Sequence, residues 1–232
     1  MFNCIGGTKF RKLAASGLKV ILDLIYPPGL YCMICGNLID SSRPYELCDF
    51  CREHVNWRFN EDTLIKGVRC ISCCGYGMYE RRLIFRLKYN RKEYTAGVIG
   101  EIVADRIKVS DFEFDIIVPV PMEKTKEKRR GFNHAYLIAK EAGRHLEKPV
   151  LKDGLVRIKK TKAMRGLGPY ERKANIAGAF ALGRNAQIIR GKRVLLLDDI
   201  STTFATGEEC IKVLRSANPK EICFVAFAAR NF

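Results

Sequence analysis

The chain has 232 residues, 47% hydrophobic and 28% charged, enough for one ordinary α/β domain plus a small appendage and too balanced for a disordered, collagen-like or coiled-coil chain. Lys and Arg total 41 against 25 Asp and Glu, a formal net charge of +16, which favours polyanionic partners such as nucleic acid, phosphorylated metabolites or an anionic membrane surface. Eight of the ten cysteines precede residue 75, unlike the even spread of a secreted disulfide scaffold, so a metal site in a reducing compartment is expected.

Leu18, Ile21, Leu22 and Ile25 recur at helical spacing beside Lys9, Arg11, Lys12 and Lys19. Residues 1–30 therefore read as an amphipathic lead-in packing on its own domain, with peripheral membrane contact as the alternative. Lys19 and Asp23 interrupt the apolar stretch from Leu18 to Tyr26, which is too short to span a bilayer, and Met1 to Thr8 does not read as a signal peptide. A cytoplasmic protein with no transmembrane segment is expected. Tyr26-Pro27-Pro28-Gly29 ends the helix, because the prolines lack an amide proton.

A cysteine module follows over residues 31–57. Cys32-Met33-Ile34-Cys35 and Cys48-Asp49-Phe50-Cys51 are two CxxC knuckles separated by twelve residues, a spacing that lets four thiolates converge on one tetrahedral zinc. A redox CxxC and an iron–sulfur cluster are the alternatives. Four Cys ligands leave no open position for catalysis, so Zn²⁺ at Cys32, Cys35, Cys48 and Cys51 is expected to be structural. Cys70, Cys73 and Cys74 have no nearby fourth ligand except the distant His54, and read as small apolar thiols in a strand or connector. Cys4, Cys210 and Cys223 read as unpaired.

Residues 58–232 read as repeated β-α-β units around a mainly parallel sheet. Glu80 to Val109 has the spacing of two helices. Asp115 to Val120 is a short apolar strand, and Asn133 to Leu146 a helix with Leu137, Ile138, Ala142 and Leu146 on one face and Asn133 as its cap. Arg193 to Leu197 is a buried-strand pattern, Gly207 to Leu214 is helical, and Ile222 to Ala228 is another apolar run.

The richest stretch runs from Val194 to Glu209. An apolar strand ends in Asp198-Asp199, a hydroxyl-rich turn follows, and a helix begins, a pattern that offers backbone amides and hydroxyls to a phosphate and two carboxylates to neighbouring ribose hydroxyls. Between Met122 and Lys173 there are 16 Lys and Arg against 6 Asp and Glu. They concentrate in Lys124 to Arg130 and Arg157 to Arg165, loops that would border such a site and bind pyrophosphate or a DNA backbone. Phe132 is expected in the core. His54, His134 and His145 form no nucleophile pair and read as surface or capping residues.

The Asp198-Asp199 stretch resembles the phosphoribosyl-pyrophosphate (PRPP) motif of type I phosphoribosyltransferases, and the chain as a whole resembles ComF-family competence proteins. The likeness rests on Leu24-Ile25-Tyr26-Pro27-Pro28, the paired CxxC, Leu87-Lys88-Tyr89, Val118-Pro119-Val120-Pro121 and Arg130-Gly131-Phe132-Asn133. It continues through Glu171-Arg172 with Asn175, Gly178-Ala179-Phe180 and the Asp198-Asp199 loop. It implies a type I phosphoribosyltransferase-like α/β fold in which Asp198 and Asp199 hold ribose hydroxyls. Ser201, Thr202, Thr203, Phe204, Ala205 and Thr206 would cradle the 5′-phosphate, and the loop after Pro121 would face the pyrophosphate. Lys124, Arg130 and Arg172 join the PRPP-binding set, and Mg²⁺ would arrive chelated by the ligand. Two departures stand out. Phe204 occupies a position where the family has Gly, which argues against a positive φ there and against close backbone approach to a phosphate. The stretch Lys162 to Leu167 lacks the family's Gln. The resemblance implies DNA uptake during natural transformation, through either a phosphoribosyl transfer to an unknown acceptor or a non-catalytic adaptor that binds single-stranded DNA and other competence proteins.

Overall fold

The computed structural model describes residues 29–59, 62–89, 92–161, 166 and 168–230. The amphipathic lead-in, Cys4 and Lys162 to Arg165 fall outside the described residues. The chain divides into two compact units between Arg52 and Glu53. Among the described residues, no helix is long and apolar enough to cross a membrane.

The described part of the first unit, residues 29–52, is built on turns. Tyr31 bridges Leu38, and the Cys32 amide donates to the Asn37 carbonyl at 2.8 Å. A 3-10 turn at Pro44–Glu46 leads to helix α1, Asp49–His54. Apart from cysteines, the buried apolar side chains among its described residues are Met33, Ile34 and Leu47, a small set for a core within residues 29–52.

The second unit is a five-stranded sheet with flanking helices. Its strands are β1 (Asp62–Ile65), β2 (Val68–Gly75), β3 (Ile116–Pro119), β6 (Arg193–Ser201) and β7 (Glu221–Ala229), in the order β1-β2-β7-β6-β3. Only β1 runs antiparallel, as the outer arm of a hairpin turned at Lys66 and Gly67, both at positive φ (50° and 74°). From Ile222 to Ala229 every residue of β7 is buried. Because successive side chains point to opposite faces, both faces of the sheet must be covered.

The covering helices are α2 (Met78–Tyr89), α3 (Lys92–Val109), α5 (His134–His145) and α7 (Ala205–Arg215). The first two match the pair expected over Glu80 to Val109. Gly100 lets α3 and α5 cross closely, since a Cβ there would sit 2.6 Å from Glu141 Cβ and 2.9 Å from the Ala142 amide nitrogen. Arg106 of α3 is 1% exposed; its Nε donates to the carbonyls of Arg58 at 2.8 Å and Ser72 at 3.2 Å, and it pairs with Asp62. A buried guanidinium satisfied in this way ties α3 to the sheet edge.

Short helix α4 (Lys124–Arg130) follows β3. A two-stranded antiparallel ribbon, β4 (Leu155–Arg157) with β5 (Phe180–Leu182), brackets helix α6 (Pro169–Ile176). Cys70, Cys73 and Cys74 lie buried in β2, and burial pushes the thiols of Cys70 and Cys73 up to about 12. They are packed, protonated side chains, as expected of apolar thiols in a strand. Cys210 and Cys223 are likewise free and buried.

Candidate functional site

Ligands of open α/β sheets bind outside the carboxyl ends of the parallel strands, and the acid pair lies in the C-terminal part of β6, just past the last paired residue of β3. β6 buries Val194 to Leu197 completely and then presents Asp198 and Asp199. Asp198 Oδ1 accepts from the Asp199 amide at 2.8 Å, and Asp199 Oδ1 from the Ile200 amide at 2.9 Å. A cavity of about 210 Å³ opens over them. Its lining includes Val120, Lys126, His134, Arg157, Asp198, Asp199 and Thr206.

The walls are carried by elements far apart in sequence. The Val120 amide donates to the Leu197 carbonyl at 2.8 Å, which holds the end of β3 beside β6. Asn133 caps α5 as expected, its Oδ1 accepting from the Ala135 amide, while its Nδ2 donates to the Val120 carbonyl at 2.9 Å. That bond fixes the start of α5, and with it His134, over the acid pair. Phe132 is half-buried rather than in the core, its ring edge-on to His134 at 5.1 Å.

Arg157 comes from β4, with its guanidinium carbon 5.6 Å from the centre of the Phe180 ring and a hydrogen bond to Thr161. Its Nε is buried and has no hydrogen-bond partner among the described residues. A buried N–H left unsatisfied costs about 1–3 kcal/mol, so this donor favours an anionic oxygen in the cavity.

The two acids are held in different states. Burial and then the Asp199 charge push the Asp198 carboxyl well above the usual carboxylate range. Burial acts upward on Asp199 too, but Lys88 and His134 outweigh it and hold that carboxyl below its ordinary value. Of the two, Asp198 is thus the one whose protonated form is favoured, and Asp199 the one whose charge is favoured.

The expected hydroxyl cradle is divided. Ser201 is the last residue of β6, paired with Ala229 and buried, so the strand runs further than the apolar pattern indicated. Thr202 Oγ1 accepts from Arg172 Nη1 of α6 at 2.8 Å. Thr203 and Ala205 line a separate recess with Tyr170 and Lys173, and Thr206 faces the acid-pair cavity. Phe204 does adopt a positive φ, 58°, contrary to the expectation for a residue with a Cβ. Its ring is 6% exposed and packs edge-on against Phe224 at 5.1 Å. Gly207 makes room for it, since a Cβ there would lie 2.9 Å from both rings. On α4, Lys124 is exposed and Arg130 half-buried, and Lys126 is the α4 cation that lines the cavity. Lys88, Lys126, His134 and Arg157 were not singled out as site residues by sequence reasoning. Lys88 lies in the Leu87-Lys88-Tyr89 run, and Lys126 and Arg157 in the two basic blocks.

In the first unit, the sulfurs of Cys32, Cys35, Cys48 and Cys51 all lie within 4.8 Å of one another. Cys35 and Cys48 Sγ are 3.7 Å apart, close to the edge of about 3.8 Å of a tetrahedron with Zn–S bonds of about 2.3 Å. Burial pushes the Cys32 thiol up, but the amides of Cys35, Cys48 and Ile34 prevail and bring it down to about 7. The donor set fits a zinc ion.

The chain thus joins a mainly parallel α/β sheet, with an acid pair in the C-terminal part of β6, to a four-cysteine module. Competence protein F of Haemophilus influenzae is 36% identical over 108 residues, 47% of either chain. Competence protein ComFC of Bacillus subtilis is 25% identical over 183 residues, covering 77% of this chain and 68% of that one. DNA utilization protein YhgH of Escherichia coli is 26% identical over 151 residues, 63% of this chain and 65% of that one. The chain is a homologue of these competence and DNA utilization proteins, and its match spans about half the length of competence protein F. No family model matches the chain. Among solved structures it is similar to a phosphoribosyltransferase from Corynebacterium diphtheriae, with a TM-score of 0.37, 20% identity and coverage of 68% of this chain and 71% of that one. A glutamine PRPP amidotransferase from B. subtilis overlaps at a TM-score of 0.39 and 18% identity, over 56% of this chain and 25% of that one. At such scores both are partial superpositions.

Proposed function

We propose that the second unit binds Mg²⁺-PRPP or a related phosphoribosyl ligand in the acid-pair cavity, that the first unit carries one structural zinc, and that the protein acts in the cytoplasm in DNA uptake. The observation that carries the ligand assignment is the presence of both signs of charge in the lining of one small cavity. Asp198 and Asp199 line it together with Lys126 and Arg157, and Arg157 holds a buried Nε without a partner among the described residues. Carboxylates repel phosphate and accept hydroxyl protons, whereas the cations do the reverse, so the cavity suits a molecule with vicinal hydroxyls and an anionic group. Thr206, in the first turn of α7, adds a hydroxyl where the helix dipole favours negative charge. Mg²⁺ would come with the ligand and offset its pyrophosphate charge.

Calorimetric titration with Mg²⁺-PRPP tests this reading. Wild type should bind saturably, and Asp199→Ala and Arg157→Gln should each weaken binding at least about tenfold, the usual cost of a charge-assisted hydrogen bond. Variants that bind as wild type does would refute it.

A second activity, single-stranded DNA binding, is supported by the exposed face of α2. Phe85 and Tyr89 are 56% and 58% exposed with ring centres 4.7 Å apart. Arg81 and Arg82 are exposed beside them. Stacking rings flanked by guanidinium groups suit unpaired bases and their phosphates. Replacing both rings with Ala should weaken oligo(dT) binding about tenfold while keeping its salt slope, and Arg81→Gln with Arg82→Gln should lower that slope by about 1.4. Unchanged affinity in both variants would remove this face from consideration.

A further inference from the structure

Asp199 is gripped by two groups that belong to neither the hydroxyl-rich loop nor the basic blocks. Lys88 Nζ lies 3.6 Å, and His134 Nδ1 3.7 Å, from the same carboxylate oxygen, Oδ2. They arrive from different elements. Lys88 is in the last turn of α2, anchored by buried Leu83, Ile84 and Leu87, and His134 is the first residue of α5, behind its Asn133 cap. Neither is a loosely held surface group: the Lys88 side chain is 24% exposed and that of His134 2%. The other oxygen, Oδ1, accepts the Ile200 amide, so the carboxylate is held from both sides.

The geometry points to Lys88 and His134 as positioning residues of the ligand site, clamping one oxygen of Asp199 so that this acid meets the ligand as the charged acceptor of the pair. The inference rests on the proposed phosphoribosyl reading. Two equivalent buried carboxylates would share one proton indifferently, and either could present the wrong state to a ribose hydroxyl. The clamp breaks that symmetry. The contacts favour Asp199 as the ionised acceptor, while burial and the Asp199 charge favour the protonated form of Asp198, which can donate as well as accept. The titratable and charged groups facing Asp199 are Lys88 from α2, His134 from α5 and Asp198 from β6, with Lys126 of α4 and Arg157 of β4 lining the same cavity. Removing Lys88, or His134 in its protonated form, raises the Asp199 pKa, so binding that needs its carboxylate is lost at a higher pH than in wild type.

The test combines Mg²⁺-PRPP titrations over the acidic to neutral range with a carbon-detected carboxyl titration of the ligand-free protein by NMR. Wild type, Lys88→Met, Lys88→Arg and His134→Asn are compared. Lys88→Met and His134→Asn should weaken binding about tenfold and move its acid limb upward by about one pH unit, and Lys88→Arg should recover most of the loss. Affinity lowered equally at every pH, with Arg no better than Met, would reduce Lys88 to a structural role and overturn the inference. If folded wild type binds no PRPP, the phosphoribosyl reading fails by itself. The ligand-free titration then decides about the clamp: Asp199 titrating higher in Lys88→Met upholds it, and an unmoved Asp199 overturns it.

Discussion

Phe204 combines two opposed contributions in one residue. A non-glycine residue in the left-handed region is strained by about 1–2 kcal/mol, yet the ring is buried against Phe224 and above Gly207. Deleting a buried Phe side chain costs about 3–5 kcal/mol, so packing outweighs strain. Phe204→Gly should therefore lower stability by about 2–4 kcal/mol, and Phe204→Ala, which loses the ring and keeps the strain, by more. Urea unfolding would give the order wild type, Gly, Ala; a Gly variant more stable than wild type would mean that strain dominates. The sequence alone favoured the opposite weighting, because a Phe in a Gly position reads as an obstruction when the direction of its ring is unknown. That ring points into the core, and the local motif contains nothing of Phe224.

At the scale of elements, local pattern and tertiary placement part company. The helices over Met78–Tyr89, Lys92–Val109 and His134–His145, and the apolar strands β3, β6 and β7, were legible because each has a strong period or a continuous buried run. The β1-β2 hairpin was not, since its turn places Lys66 at positive φ before Gly67 and lacks the Asn-Gly or Asp-Gly signature. The cysteine knuckles were legible for another reason: their ligand spacing is itself the constraint. With Met33, Ile34 and Leu47 the apolar side chains buried beside the cysteines among the described residues, metal binding and folding of this element should be one event. The protein as purified should hold one zinc, and Cys48→Ser or a strong chelator should release it and expose residues 29–52 to hydrogen exchange while β6 and β7 stay protected. Because bound thiols must be deprotonated, zinc should also be lost as pH falls. Protection of residues 29–52 without metal would contradict a structural zinc.

For the whole molecule, the net charge of +16 favours an anionic partner without saying where it would bind, and the acid pair marks the candidate site without naming its walls. Lys88, His134 and Arg157 were legible only as members of a motif, a helix start and a basic block. Their meeting around Asp198 and Asp199 depends on β3, β6 and α5 coming together through Val120, Leu197 and Asn133, and spacing along a chain carries no such information. A crystal structure of the protein soaked with Mg²⁺-PRPP shows whether this meeting place holds a phosphoribosyl ligand. Density is expected in the acid-pair cavity, with ribose hydroxyls on Asp198 and Asp199 and an anionic oxygen at Arg157 Nε. A cavity without ligand at saturating concentration, or ligand bound only elsewhere, would overturn the phosphoribosyl reading.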